Sequence, residues 1–143
     1  MNTPAKTKKY RVVGLGGTFD HFHAGHEHFL RSASALSEHL VVGVSTPALL
    51  TQKSFPEQVE PYEVRAQAVR GFLHKLKIEH TIVPLDTIEG PAVTSAEIEA
   101  IVLTQDTRRG GERINQLRQE AGKSPLSLEE VSIVAGGSSS SIS

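Results

Sequence analysis

The chain has 143 residues, a length that can bury a genuine core as one domain without metal or disulfide staples. It contains no cysteine, which excludes a disulfide scaffold, thiolate catalysis and the sulfur ligands of most structural zinc sites. Fifteen Lys and Arg against sixteen Asp and Glu leave a formal charge of −1. The basic excess expected of a nucleic-acid binder is missing, so any bound anion must be held by local arrangement.

The opening decapeptide, MNTPAKTKKY, is polar and basic, and no apolar stretch follows it as in a secretory leader. Apolar runs elsewhere are only a few residues long, far short of a membrane span. The expectation is a cytoplasmic protein with no nucleic-acid or membrane partner, a monomer or weak homo-oligomer. It is expected to form a single domain over residues 1–143, with flexible ends at 1–10 and 136–143.

Arg11–Gly17 (RVVGLGG) is an apolar run closed by glycines and predicts a buried first strand. From Gly25, the spacing of Phe29, Leu30, Ala33 and Leu36 predicts a helix to about Glu38. His39–Ser45 (HLVVGVS) predicts a second strand. Pro61 introduces Tyr62–Leu76, where Val64, Ala68, Val69, Phe72, Leu73 and Leu76 fall on one helical face. Glu79–Leu85 is the third strand, with Pro84 marking an end or an edge.

Thr94 to Glu97 fits a capping box opening a short helical turn. Ala100–Thr104 is the fourth strand. A helix runs from about Gly110 through Ile114, Leu117 and Ala121, closed by Gly122 and Pro125. Val131–Ala135 is expected as the fifth strand, before the low-complexity segment Gly136–Ser141. Strands alternating with helices predict an α/β fold: a Rossmann-like, doubly wound parallel sheet of about five strands with helices on both faces. Ligands then bind outside the carboxyl ends of the strands, where the first strand delivers Gly14–Leu30, GLGGTFDHFHAGHEHFL.

That stretch holds four histidines in eight residues, His21, His23, His26 and His28, and three readings compete. A dinucleotide fingerprint fits Gly14 and Gly16, but Phe19 occupies the third glycine position and no clear acidic residue follows about twenty positions on to hold a ribose. A metal cage would use the four imidazoles, yet HExxH is absent and few oxygen ligands lie nearby in the chain. A phosphate site accounts for more of the residues. Glycines admit an anion to the backbone, a helix opening near Gly25 directs N–H groups and its positive end there, and imidazoles can donate without a permanent full charge.

Gly16–His26, GGTFDHFHAGH, resembles the T-F-D-x-x-H-x-G-H signature of a nucleotidyltransferase superfamily. The chain is more closely similar to the archaeal and eukaryotic type of phosphopantetheine adenylyltransferase. Lys53 after the second strand, P-Y-E-x-R at Pro61–Arg65, and T-x-x-G-x-x-x-I-N-x-x-R from Thr107 to Arg118 carry that similarity. The resemblance covers the chain from about Arg11 onward. It implies transfer of AMP from ATP to 4′-phosphopantetheine, giving dephospho-CoA and pyrophosphate. It also implies Mg²⁺ carried in with ATP and no metal held by the protein's own ligands.

The resemblance gives His26 the role of stabilising charge on the α-phosphate in the transition state. It gives His23 a nucleotide-phosphate contact and Thr18 a hydroxyl that touches both the α-phosphate and the incoming phosphate. Gly16, Gly17 and Gly25 complete the ATP-binding set. Lys53 bridges the phosphates of the two substrates, so Thr18, His26 and Lys53 form the catalytic set, and Thr18, Lys53 and Arg65 the acceptor-binding set. Arg65 either binds phosphate or pairs with Glu60 or Glu63; Asp20 either helps hold Mg²⁺ or caps the turn. His21 and His28 fall outside the matched pattern and are expected to be structural. Asn115 and Arg118 match the pattern without an assigned role.

The family's closing motif resembles I-S-S-T-R-I-R, and the sequence reaches Ile142–Ser143 of it. Ser138–Ser141 offer hydroxyls but no positive charge. The sequence reading therefore expects weak ATP binding by these 143 residues, restored by a S-T-R-I-R-containing helix. The alternatives are transfer to another phosphate acceptor, such as FMN or glycerol phosphate, and a weakly active nucleotide- or pantetheine-binding paralogue.

Overall fold

The computed structural model describes residues 8–52, 59–87 and 89–132. Its elements run β1 (Tyr10–Gly17), α1 (Ala24–Leu36), β2 (Ser37–Ser45), α2 (Pro47–Gln52), α3 (Tyr62–Leu76), β3 (Glu79–Leu85), β4 (Ala100–Leu103), α4 (Arg108–Glu120) and β5 (Ser127–Glu130). One-turn 3₁₀ helices occupy Gly90–Val93 and Gln105–Thr107. The five strands form one sheet in the order β3-β2-β1-β4-β5, every pairing parallel.

Strand alternation sorts the core into two layers. Val13, Leu15, Leu40, Val42, Val44, Ala100 and Val102 pack with Phe29, Leu30 and Ala33 of α1 and Val69, Phe72 and Leu73 of α3. The intervening residues Val12, Val41, Ile101 and Leu103 meet Ala92, Ile98 and Ile114 on the other face. Helices therefore cover both faces, as the alternating pattern predicts. Gly111 lets α4 lie close to the sheet, since a Cβ there would sit 2.4 Å from a methyl of Leu103.

The chain reverses its direction of strand addition between β1 and β4. β1 pairs with β2 as far as Gly17, but with β4 only at Val13 and Gly14. The carboxyl end of the sheet therefore opens at this switch point, where such folds bind ligands.

Several boundaries differ from the sequence reading. The fifth strand is Ser127–Glu130, not Val131–Ala135; Val131 still donates to the Leu103 carbonyl at 2.7 Å, and residues 133–143 lie outside the described residues. Thr94 does not open a helical turn but closes the 3₁₀ turn before it. Residues 8–10, expected in a flexible end, are tied down: Tyr10 begins β1, and Lys8 Nζ donates to the Ser34 and Ser37 carbonyls at 2.9 and 3.0 Å. The short helix α2 was not expected at all.

Candidate active site

β1 delivers the chain from Gly17 into Thr18–His23 and then into α1. Two non-glycine residues of this turn, Phe19 and His21, adopt left-handed backbone with φ of 55° and 49°. Such conformations persist where the surroundings over-determine them, characteristically at functional sites. The Phe19 ring is 1% exposed and anchored in the core. Asp20 Oδ1 accepts the Glu60 N–H at 2.8 Å, Glu60 Oε1 accepts the His21 N–H at 2.8 Å, and Asp20 Oδ2 meets His21 Nδ1 at 2.9 Å.

Arg65 lies under the turn. Its guanidinium is buried and donates to three main-chain carbonyls: Glu60 through Nε at 2.8 Å, and Thr18 and Ser45 through Nη1 at 3.0 and 2.8 Å. It thus ties the ends of β1 and β2 to the entrance of α3. Among the described residues, Nε and Nη1 thus serve backbone oxygens rather than the Glu60 or Glu63 carboxylate. Burial lowers the Arg65 pKa, opposed by the charges of Asp20 and Glu60. Burial pushes Asp20 the other way, but the Glu60 N–H, His21 and the Arg65 charge outweigh it and hold the carboxyl below its ordinary value.

The start of α1 carries an unusual cap. His23 is the N-cap, a place usually taken by Ser, Thr, Asp or Asn, and its Nδ1 accepts the Gly25 N–H at 3.1 Å. His26 Nδ1 accepts the His23 N–H at 3.2 Å, completing a reciprocal box. The His26 ring stacks on His23 with centroids 3.9 Å apart and on Phe22 at 5.5 Å, and Phe19 lies tilted against it at 5.5 Å. An Nδ1 that accepts a backbone N–H carries no proton, so each neutral imidazole bears its proton on Nε2. The cap thus engages the Gly25 amide, which the sequence reading had expected to face an anion. His23 is exposed while His26 is 3% exposed.

Thr18 is 5% exposed, with its hydroxyl 3.5 Å from that of Ser45, which in turn donates to the Gly17 carbonyl at 3.3 Å. Gly16, Gly17, Thr18, His23, Gly25 and His26 thus lie on one continuous segment, with Arg65 packed behind it. Lys53 lies outside the described residues, as do Ser138–Ser141.

On the opposite face of the sheet lies a narrow apolar trough with a cavity volume of about 60 Å³, small beside the roughly 300–1,000 Å³ of preformed small-molecule sites. Gly14, Gly16 and Gly43 form its floor, Val83 and Leu85 one side, and Pro91, Ala92, Ile98 and Ile114 the other. Strand register sets Gly16 beside Gly43, and a Cβ on Gly43 would sit 2.9 Å from a Leu85 methyl. Gly16 both lines the trough and leads directly into Thr18, so the trough and the histidine turn share one strand end.

The four histidines have separate engagements. His28 Nε2 reaches the Ser132 carbonyl at 2.9 Å, and His21 pairs with Asp20. Among the described residues, the only group of three side chains with metal-ligand spacing is Asp20, His21 and Glu60. Its carboxylates already accept N–H groups. Asp20 therefore secures the turn. The sequence reading named Glu60 only as a possible partner of Arg65 and did not single out Ser45 or the Gly43 floor. A hydroxyl closing a core strand at the ligand-binding edge was the available signal for Ser45.

Comparison with known proteins places this geometry in context. A family model described as cytidylyltransferase-like matches residues 15–143. A phosphopantetheine adenylyltransferase of Saccharomyces cerevisiae is 37% identical over 136 residues, covering 93% of this chain and 45% of that protein. The chain therefore spans about half the length of the yeast relative. One from Methanopyrus kandleri is 35% identical over 139 residues, covering 94% of this chain and 87% of the relative. A crystal structure of a protein of unknown function from Archaeoglobus fulgidus superposes with a TM-score of 0.77 at 26% identity, covering 88% of this chain and 93% of that one.

Proposed function

The chain belongs to the cytidylyltransferase-like family, and from that premise we propose that it transfers AMP from ATP to 4′-phosphopantetheine, giving dephospho-CoA and pyrophosphate. The observation that carries this reading is the histidine cap: two stacked imidazoles, each accepting a backbone N–H at Nδ1, set at a sheet's ligand-binding edge. The names of the curated relatives from yeast and Methanopyrus support the substrate pair.

An oxygen of the acceptor phosphate attacks the α-phosphorus in line; the bond from that phosphorus to the bridging oxygen breaks, and pyrophosphate leaves with its electrons. A phosphate monoester is already largely dianionic near neutral pH, its second pKa being about 6, so the attack needs no protein base. The protein's part is positioning and charge stabilisation. His26 Nε2–H donates to the α-phosphate oxygen as charge builds, His23 Nε2–H donates to a nucleotide phosphate, and Thr18 presents its hydroxyl between the two substrates. Lys53 supplies the cationic bridge between their phosphates.

The trough seats the pantetheine arm, whose slender chain suits a floor of glycines and walls of aliphatic side chains. Mg²⁺ arrives as MgATP and is held by phosphates and water, as this hard cation prefers. Asp20, His21 and Glu60, occupied with one another and with the turn, are not its ligands. The protein works as a cytoplasmic monomer or weak homo-oligomer.

The test is incubation with MgATP and each of 4′-phosphopantetheine, FMN and glycerol phosphate, following pyrophosphate and nucleotide products. Dephospho-CoA and equimolar pyrophosphate are expected from the first acceptor. Preference for either of the others, or ATP binding without transfer to any, contradicts the reading.

A further inference from the structure

Arg118 matches a sequence pattern but has no part in the chemistry above. It sits on the last turn of α4, 6% exposed, and its guanidinium meets three main-chain carbonyls: Ser124 through Nε at 2.7 Å, and Ala92 and Ser95 through Nη1, each at 2.9 Å. Ala92 belongs to the 3₁₀ turn that forms the outer wall of the trough. Ser95 extends that hold, because its hydroxyl accepts the N–H groups of Glu97 and Ile98 at 3.1 Å, and Ile98 is another wall residue. The described residues between Leu85 and Ala100 have no strand pairing to fix them before the Glu99 N–H meets the Val12 carbonyl.

The same helix contributes Ile114 to the trough. Asn115 fixes its far side by a two-way bond with Leu126, donating to its carbonyl at 2.9 Å and accepting its N–H at 2.7 Å. Helix and wall are thus joined across the trough's rim by one guanidinium. A planar group with several fixed donors holds such a set of carbonyls in a way that an ammonium cannot reproduce.

We propose that Arg118 is a positioning residue that sets the width of the trough, and through it the enzyme's preference for a phosphate bearing a long arm over a short one. The proposal rests on the reading of the trough as the seat of the acceptor's arm. It assigns Arg118 no contact with the reacting phosphates, so its loss acts on acceptor binding and leaves the chemistry in place.

Arg118→Lys and Arg118→Gln are compared with the wild type, after thermal melts have established that each is folded. Two quantities are read: calorimetric affinity for pantetheine, which carries the arm without the phosphate, and kcat/KM for 4′-phosphopantetheine against glycerol phosphate. The expected result is an affinity loss of about tenfold for pantetheine. An equal fall in the 4′-phosphopantetheine to glycerol phosphate ratio should follow through KM, with ATP affinity and kcat little changed. Gly43→Ala keeps Arg118 but crowds Leu85 from below, and it should reproduce the selective loss.

Equal losses for both acceptors, or no loss for either, overturn the proposal, as does a wild type that binds no pantetheine. If pantetheine binds and the variants weaken it while no AMP is transferred, the transfer reading fails and Arg118's role stands.

Discussion

The turn that carries Thr18 and His26 and the trough on the opposite face are held by the same device and built from different kinds of residue. Under the turn, Arg65 gathers the carbonyls of Thr18, Ser45 and Glu60; beside the trough, Arg118 gathers those of Ala92, Ser95 and Ser124. In both places a buried cation satisfies main-chain oxygens that the local conformation leaves without a ladder partner. The regions differ in what they present. The turn presents imidazoles and a hydroxyl, whereas the trough presents glycine floor and aliphatic wall. The division implies that chemistry and acceptor choice can be damaged separately.

The largest expected effect lies on the turn. His26→Ala should lower kcat by about 10²–10³, the cost of losing one preorganised donor to developing charge. ATP affinity should change far less, because the interaction strengthens only in the transition state. His26→Gln, whose amide can still donate, should fall between the two; equal losses in binding and turnover would make the ring a structural cap alone.

Arg65→Met should follow. It orphans buried carbonyls at a cost of about 1–3 kcal/mol each, seen as a lowered melting temperature. It should also cut kcat by about tenfold by releasing Thr18. Arg65→Lys should recover part of both. A raised acceptor KM at unchanged kcat would instead return Arg65 to direct substrate contact, and the two regions would no longer be parallel.

The smallest effect concerns Asp20. Its carboxyl is held below the ordinary value in the folded state, so its charged form stabilises the protein above the unfolded pKa, about 3.9. That contribution is lost as pH falls through the lower, folded value. Asp20→Asn should therefore melt below the wild type at neutral pH, with the gap closing under about pH 4. A gap that persists in acid would assign the effect to packing.

Legibility followed the same division. The turn could be read because its residues are contiguous: Gly16 to His26 needs no folding to be recognised. α3 and β3 were also placed at their observed ends, since Pro61 and a regular apolar stripe mark one and a β-branched run the other. The trough was invisible because its floor comes from Gly14, Gly16 and Gly43, which only the β1–β2 register brings together. β5 was misplaced because SLEE has two acidic residues and a single half-buried leucine, while the neighbouring apolar run looked more strand-like. α2, at six residues, is too short for its periodicity to show. Arg65 matched a motif, but whether it faced substrate or backbone depended on carbonyls up to 47 residues away.

The central claim is that the capped histidines stabilise and do not attack. With Nδ1 of His23 and His26 each accepting a backbone N–H, Nε2 holds the proton and offers no lone pair to phosphorus. The measurement is the stereochemical course at the α-phosphorus, using ATP made chiral there with sulfur and isotopic oxygen and 4′-phosphopantetheine as acceptor. A single in-line displacement by the acceptor phosphate predicts inversion of configuration in the dephospho-CoA analogue formed. Retention would require two displacements through an adenylylated side chain, and would contradict the account.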